Sequence, residues 1–155
     1  MTEVTSNNKM QLSQHFKLGE FTKSNHPEVY NIPSHVAIEN MKRICGWLEV
    51  LRDQYNAKYS ENSPIIINSG YRSPQLNKKV GGVSTSNHLT GCAVDIRCYG
   101  IEQAIRYATI LMDYADESKE AFDELFIEKN KYNCYWVHFA VRPKENRRKI
   151  SFLNG

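Results

Sequence analysis

Asp95 limits how this chain can fold more than any other residue. It stands in Cys92-Ala93-Val94-Asp95-Ile96-Arg97-Cys98, an otherwise largely apolar run that reads as a buried strand. A carboxylate carried into such a strand costs about several kcal/mol unless something pairs with it. The fold must therefore bring a cation against this position. Arg97, close in sequence, is one candidate, and a metal ion is another.

The rest of the chain supplies a frame for that strand. The chain has 155 residues, enough for one domain with a hydrophobic core. Residues 1–30 read as polar and irregular, with prolines as turn punctuation. Ala37, Met41, Ile44, Leu48, Leu51 and Tyr55 then recur at steps of three and four. This spacing predicts a long helix over 34–59, with Ser34 as its N-cap. Pro64-Ile65-Ile66-Ile67-Asn68 predicts a short buried strand. A second amphipathic helix is expected over 101–115, with Ile101, Ile105, Ala108 and Met112 on one face. Two further strands, 122–128 and 135–141, flank a short polar stretch that predicts a hairpin. The expected class is α+β, a small and largely antiparallel sheet packed with helices.

Composition narrows the function classes. The net charge is +3, and much of it sits in the tail Arg142-Pro143-Lys144-Glu145-Asn146-Arg147-Arg148-Lys149. Residues 143–155 read as a solvated basic tail. No nucleic-acid-binding signature accompanies it. No apolar run nears the roughly 20 residues that span a bilayer, and the N-terminus lacks the pattern of a secretory signal. The expectation is a monomer made in the cytoplasm, with neither nucleic acid nor membrane as partner. The four cysteines, at 45, 92, 98 and 134, fit no zinc ribbon or finger. Cys45 and Cys92 read as small buried hydrophobes.

Between the first two strands lies a long, polar, glycine-punctuated segment, 69–91. Segments of this length in compact domains usually carry function. His88 stands near its end, Asp95 on the strand it feeds, and His138 on the last strand. Two imidazoles and one carboxylate are a common catalytic zinc set that leaves a fourth position open. Zinc held that way lowers the pKa of water toward about 7 and polarises a carbonyl. On spacing alone the plainer readings stay open: an exposed loop histidine, an Asp–Arg pair and a core histidine beside Trp136.

The flanking residues carry more. Ser69-Gly70-Tyr71-Arg72-Ser73, then Asn77, then Ser86-Asn87-His88-Leu89-Thr90-Gly91-Cys92-Ala93-Val94-Asp95, and finally Trp136-Val137-His138, run in order along the chain. Together they resemble the zinc D-Ala-D-Ala carboxypeptidases and phage peptidoglycan endopeptidases, which share the Hedgehog-type zinc fold. The resemblance covers about residues 12 to 142 and implies His88, Asp95 and His138 as ligands of Zn2+. It implies Arg72 as the substrate arginine, suited to a peptide carbonyl or a terminal carboxylate. Ser86 is expected to bond nearby backbone or to orient His88. Tyr71 and Trp136 are expected to wall the site or pack beneath it.

The resemblance breaks at one position. Many family members carry an acid three residues before the last zinc histidine, where this chain has Tyr135. A tyrosine, with a pKa near 10, is a poor base at neutral pH. Two acids remain as the general base: Glu128, favoured because the hairpin brings it beside Tyr135 or Trp136, and Asp123 after it. Strand register decides between them. The implied activity is zinc-dependent hydrolysis of bacterial cell-wall peptides, either D-Ala-D-Ala carboxypeptidase or endolysin-like endopeptidase. Its substrate would be a peptidoglycan stem peptide, met after release from the cell. The alternative is a catalytically impaired, zinc-containing peptidoglycan-binding module.

Overall fold

The computed structural model describes residues 8–154. The first seven residues of the expected irregular N-terminal segment lie outside the described residues.

The chain enters through a short helix, α1 (Leu18–Thr22), and then a long one, α2 (His35–Tyr59). Ser34 caps α2, its hydroxyl accepting from the Ala37 amide at 3.1 Å. Strand β1 (Ile67–Ser69), helix α3 (Pro74–Lys79) and a 3-10 turn (Asn87–Thr90) lead into strand β2 (Ala93–Cys98). Helix α4 (Gly100–Ser118) follows, then β3 (Glu124–Lys129), β4 (Tyr135–Ala140) and β5 (Lys149–Asn154). The five strands form one sheet in the order β1-β2-β4-β3-β5. All neighbours are antiparallel except β3 and β5, which run parallel. The architecture is the expected α+β class. Among the described residues no helix is long and apolar enough to cross a membrane.

Sheet register separates two faces. One carries Val94, Phe139 and Leu125 in one cross-strand row and Ile96, Val137 and Ile127 in the next. These six side chains are buried, and they meet Trp47, Leu48 and Leu51 of α2 and Ala104, Leu111 and Ala115 of α4 in a single core. The opposite face carries the alternate residues, where the acids and histidines lie.

Four segments differ from the sequence expectation. Helix α4 buries Ala104, Tyr107, Ala108, Ile110, Leu111 and Ala115, whereas Ile101 and Ile105 are exposed. Of the expected stripe, Ala108 is buried and Met112 packs against the core; apolar residues line more than one side of this helix, so periodicity alone places only part of the buried face. Strand β1 is shorter than the apolar run 64–68, with a register irregularity between Ile67 and Ser69. The N-terminal segment is not irregular throughout. Leu12, Phe16, Leu18 and Phe21 all enter the core, at spacings that match no single period. The basic tail is not simply solvated either, because Lys149–Asn154 extend the sheet as β5.

Candidate active site and metal centre

The same register builds the site. Asp95 on β2 pairs with His138 on β4, which pairs with Phe126 on β3. His88 arrives from the 3-10 turn. Ser86 caps that turn by accepting from the His88 amide at 3.1 Å. Gly91 ends it at φ +75°, and a Cβ there would meet the Ala37 carbonyl oxygen at 2.5 Å. A side chain at this position would therefore push the turn, and His88 with it, off helix α2.

His88 Nε2 lies 3.4 Å from Asp95 Oδ2, and His138 Nδ1 lies 3.1 Å from Asp95 Oδ1. One ligand atom from each of the three residues falls within 4.8 Å of the others. Donors held at about 2.1 Å around a tetrahedral zinc stand about 3.4 Å apart, so the spacing suits that ion. The opposite ring nitrogens are already engaged. His88 Nδ1 bonds the Gly70 carbonyl oxygen at 2.6 Å, and His138 Nε2 bonds Glu124 Oε1 at 2.8 Å. Each rear bond fixes its ring and turns the remaining nitrogen toward Asp95, as outer partners do for metal-ligating histidines.

Burial opposes charge on Asp95, but His88 and His138 beside it hold its pKa well below the usual carboxylate range. Burial likewise works to lower the His138 pKa, yet hydrogen bonds to Asp95 and Glu124 push it up to about 9. The arginine nearest Asp95 is Arg72, whose Nη2 is 3.6 Å from Oδ2. Arg97 instead donates to Asn68 Oδ1. Ser69 and Asn77 accept from Arg72 at 3.4 and 3.3 Å. Gly82 packs against this pair, since a Cβ there would lie 2.8 Å from Asn77 Cγ and 3.0 Å from Arg72 Nη1.

These residues line a groove of about 560 Å³, which Arg72, Ser86, His88, Asp95, Glu128, Trp136 and His138 share. Glu128 pairs with Trp136 across the hairpin, and the indole Nε1 donates to Glu128 Oε2 at 3.1 Å. Burial raises the Glu128 pKa, and repulsion from Asp95 raises it further. Tyr135, an odd number of residues before His138, faces the other side of the sheet and packs on the core.

Of the two ways in which Tyr71 was expected to serve, it packs into the core and does not wall the groove. One expected residue stands elsewhere. Asp123 precedes β3 and is fully buried, with Arg147 Nη2 at 2.9 Å and Arg142 Nε at 3.2 Å from its Oδ2. Asn87 donates to the same oxygen at 2.8 Å. Burial would raise the Asp123 pKa, but the bonds from Arg147 and Asn87 hold it at about 2. It braces the site from behind.

Sequence reasoning missed Glu124. Its Oε1 holds His138 and also accepts from Asn87 Nδ2 at 2.8 Å. Parity held the signal: Glu124 and Glu128 share a face of β3, whereas Asp123 and Glu128 do not.

A family model described as Peptidase M15 matches residues 14–132. The matched range includes Arg72, His88, Asp95 and Glu128 and ends before His138, which sheet pairing brings to the site. No curated protein matches the chain significantly.

Proposed function

The chain belongs to the Peptidase M15 family of zinc D-Ala-D-Ala carboxypeptidases, and from that premise we propose that it hydrolyses a peptide bond in bacterial cell-wall peptides. Membership makes it a metallopeptidase of a zinc-using family. The finer reading is a D-Ala-D-Ala carboxypeptidase or an endolysin-like endopeptidase acting on stem peptides. The observation that carries it is the pair of imidazoles whose rear nitrogens are engaged and whose front nitrogens converge on Asp95.

In this reading His88 Nε2, Asp95 and His138 Nδ1 hold zinc. Zinc there would polarise the substrate carbonyl and acidify water. Arg72, kept in place by Asn77 and Ser69, offers donors to a substrate carbonyl or a terminal carboxylate. Glu128 takes a proton from the attacking water and returns it to the amine as the C–N bond breaks. Burial of Glu128 works against its charged form, which favours the return of the proton to the leaving amine. Trp136 binds one carboxylate oxygen and leaves the other for water.

The alternative, a zinc-containing module that binds peptidoglycan without cutting it, drew its support from Tyr135. Glu128 on the groove face supplies the carboxylate that Tyr135 lacks. Glu128→Gln decides between them. The proposal expects the variant to keep its metal and to lose about 10²–10⁴-fold in the rate of peptidoglycan digestion. A zinc-loaded wild type that releases no new termini from peptidoglycan would favour the binding module.

A further inference from the structure

Strand β5 lies beyond the residues that match the family, yet it joins the groove. Its register against β3 pairs Glu124 with Lys149, Phe126 with Ser151 and Glu128 with Leu153. Lys149, Ser151 and Leu153 therefore share the face that carries His138, and Lys149 and Leu153 line the groove. The route from the metal centre to Lys149 crosses an aromatic floor. The Phe126 ring stacks on His138 at 5.2 Å and 14°, and Lys149 Nζ stands 6.0 Å from the Phe126 centroid.

The start of β5 is fixed. The Arg147 amide donates to Asp123 Oδ1 at 3.0 Å, and the Arg148 and Lys149 amides donate to the carbonyls of Phe122 and Asp123, both at 2.9 Å. Of the groove's cations, Arg142 and Arg147 are committed to Asp123, and Arg72 faces Asp95. Lys149 is different: among the described residues its ammonium forms no ion pair. It is a positioned, solvated cation on the wall of a groove whose opposite end holds Arg72.

Resting on the peptidase reading above, we propose that Lys149 is a specificity-determining residue that takes a carboxylate of the substrate peptide on the β5 side of the groove. β5 lies two strands from β4, about 10 Å away at the usual spacing. An extended peptide covers that distance in about three residues. The carboxylate thus belongs to a residue about three positions from the bond cleaved, either as a side chain or as the peptide's terminus. Phe126 floors the peptide between the two points.

The test uses zinc-loaded full-length protein and three cell-wall pentapeptides: one with all carboxylates free, one amidated at its side-chain carboxylate, and one amidated at its C-terminus. Affinity is read in the Glu128→Gln background by fluorescence anisotropy, and turnover is read separately in the wild-type background. With Lys149 intact, one of the two amidations should weaken binding about fivefold, the scale of an exposed ion pair. The preference should shrink at high salt. Lys149→Met should abolish sensitivity to that amidation alone, and Lys149→Glu should reverse it, with melting temperature and metal content unchanged. If Lys149→Met keeps the full response to both amidations, or if neither amidation weakens binding with Lys149 intact, the proposal is overturned. Absence of turnover in the wild-type background, with the binding pattern intact, would sink only the peptidase reading.

Discussion

Trp136 and Glu128 face each other across β4 and β3, and the indole Nε1 donates to Glu128 Oε2 at 3.1 Å. This bond favours the charged carboxylate and so works against the burial and the Asp95 repulsion that raise the Glu128 pKa. A general base acts only when ionised, so activity falls as pH drops through its pKa. The acid limb of kcat/KM should therefore follow the ionisation of Glu128. Trp136→Phe removes the donor and should move that limb to higher pH while the metal stays bound. An acid limb that stays put in the variant would separate Glu128 from the proton transfer.

Glu124 orients His138 through a 2.8 Å bond to Nε2. Glu124→Gln keeps the shape and removes the charge. Losses on the order of 10–100-fold in metal affinity accompany removal of such outer partners. Competition with a chromogenic chelator should read a loss of that size, with the fold intact by circular dichroism. Wild-type affinity in the variant would show that the bond does not support the metal centre.

Asp123 stabilises the fold from behind the site. Its folded pKa of about 2 lies below the ordinary aspartate value, so the unfolded chain binds the proton more tightly. The stabilisation, on the order of 2 kcal/mol, is therefore complete above about pH 4 and is lost as pH falls toward 2. Asp123→Asn should lower urea stability by about 2 kcal/mol at pH 7, and the gap to wild type should close at about pH 2. A gap that is constant with pH would assign the loss to packing instead.

These residues also show what the sequence made legible. Periodicity located α2 and its cap at Ser34, and the short polar stretch between two strands placed the hairpin, which brought Glu128 beside Tyr135 or Trp136; the register selects Trp136. An acid in an apolar strand asks for a cation at Asp95, but it is the family resemblance of the flanking motifs that singles out His88, Asp95 and His138 together. Glu124 was hidden because its role depends on the diagonal contact between two strands, which only the register reveals. Strand β5 was hidden for two reasons: its parallel pairing with β3 is long-range, and a basic run masks its start. The stripe expected on α4 meets the core only at Ala108 and Met112, because apolar residues on a neighbouring side, Tyr107, Ile110 and Leu111 among them, also enter the core while Ile101 and Ile105 stay exposed.

The account rests on a metal at His88, Asp95 and His138, and metal content measures that directly. Protein purified without added metal or a polyhistidine tag should carry about one zinc per chain, and His88→Ala should lose it while remaining folded. Wild-type protein that holds no zinc, even after reconstitution, would contradict the account and leave Asp95 paired only with Arg72 and the two histidines.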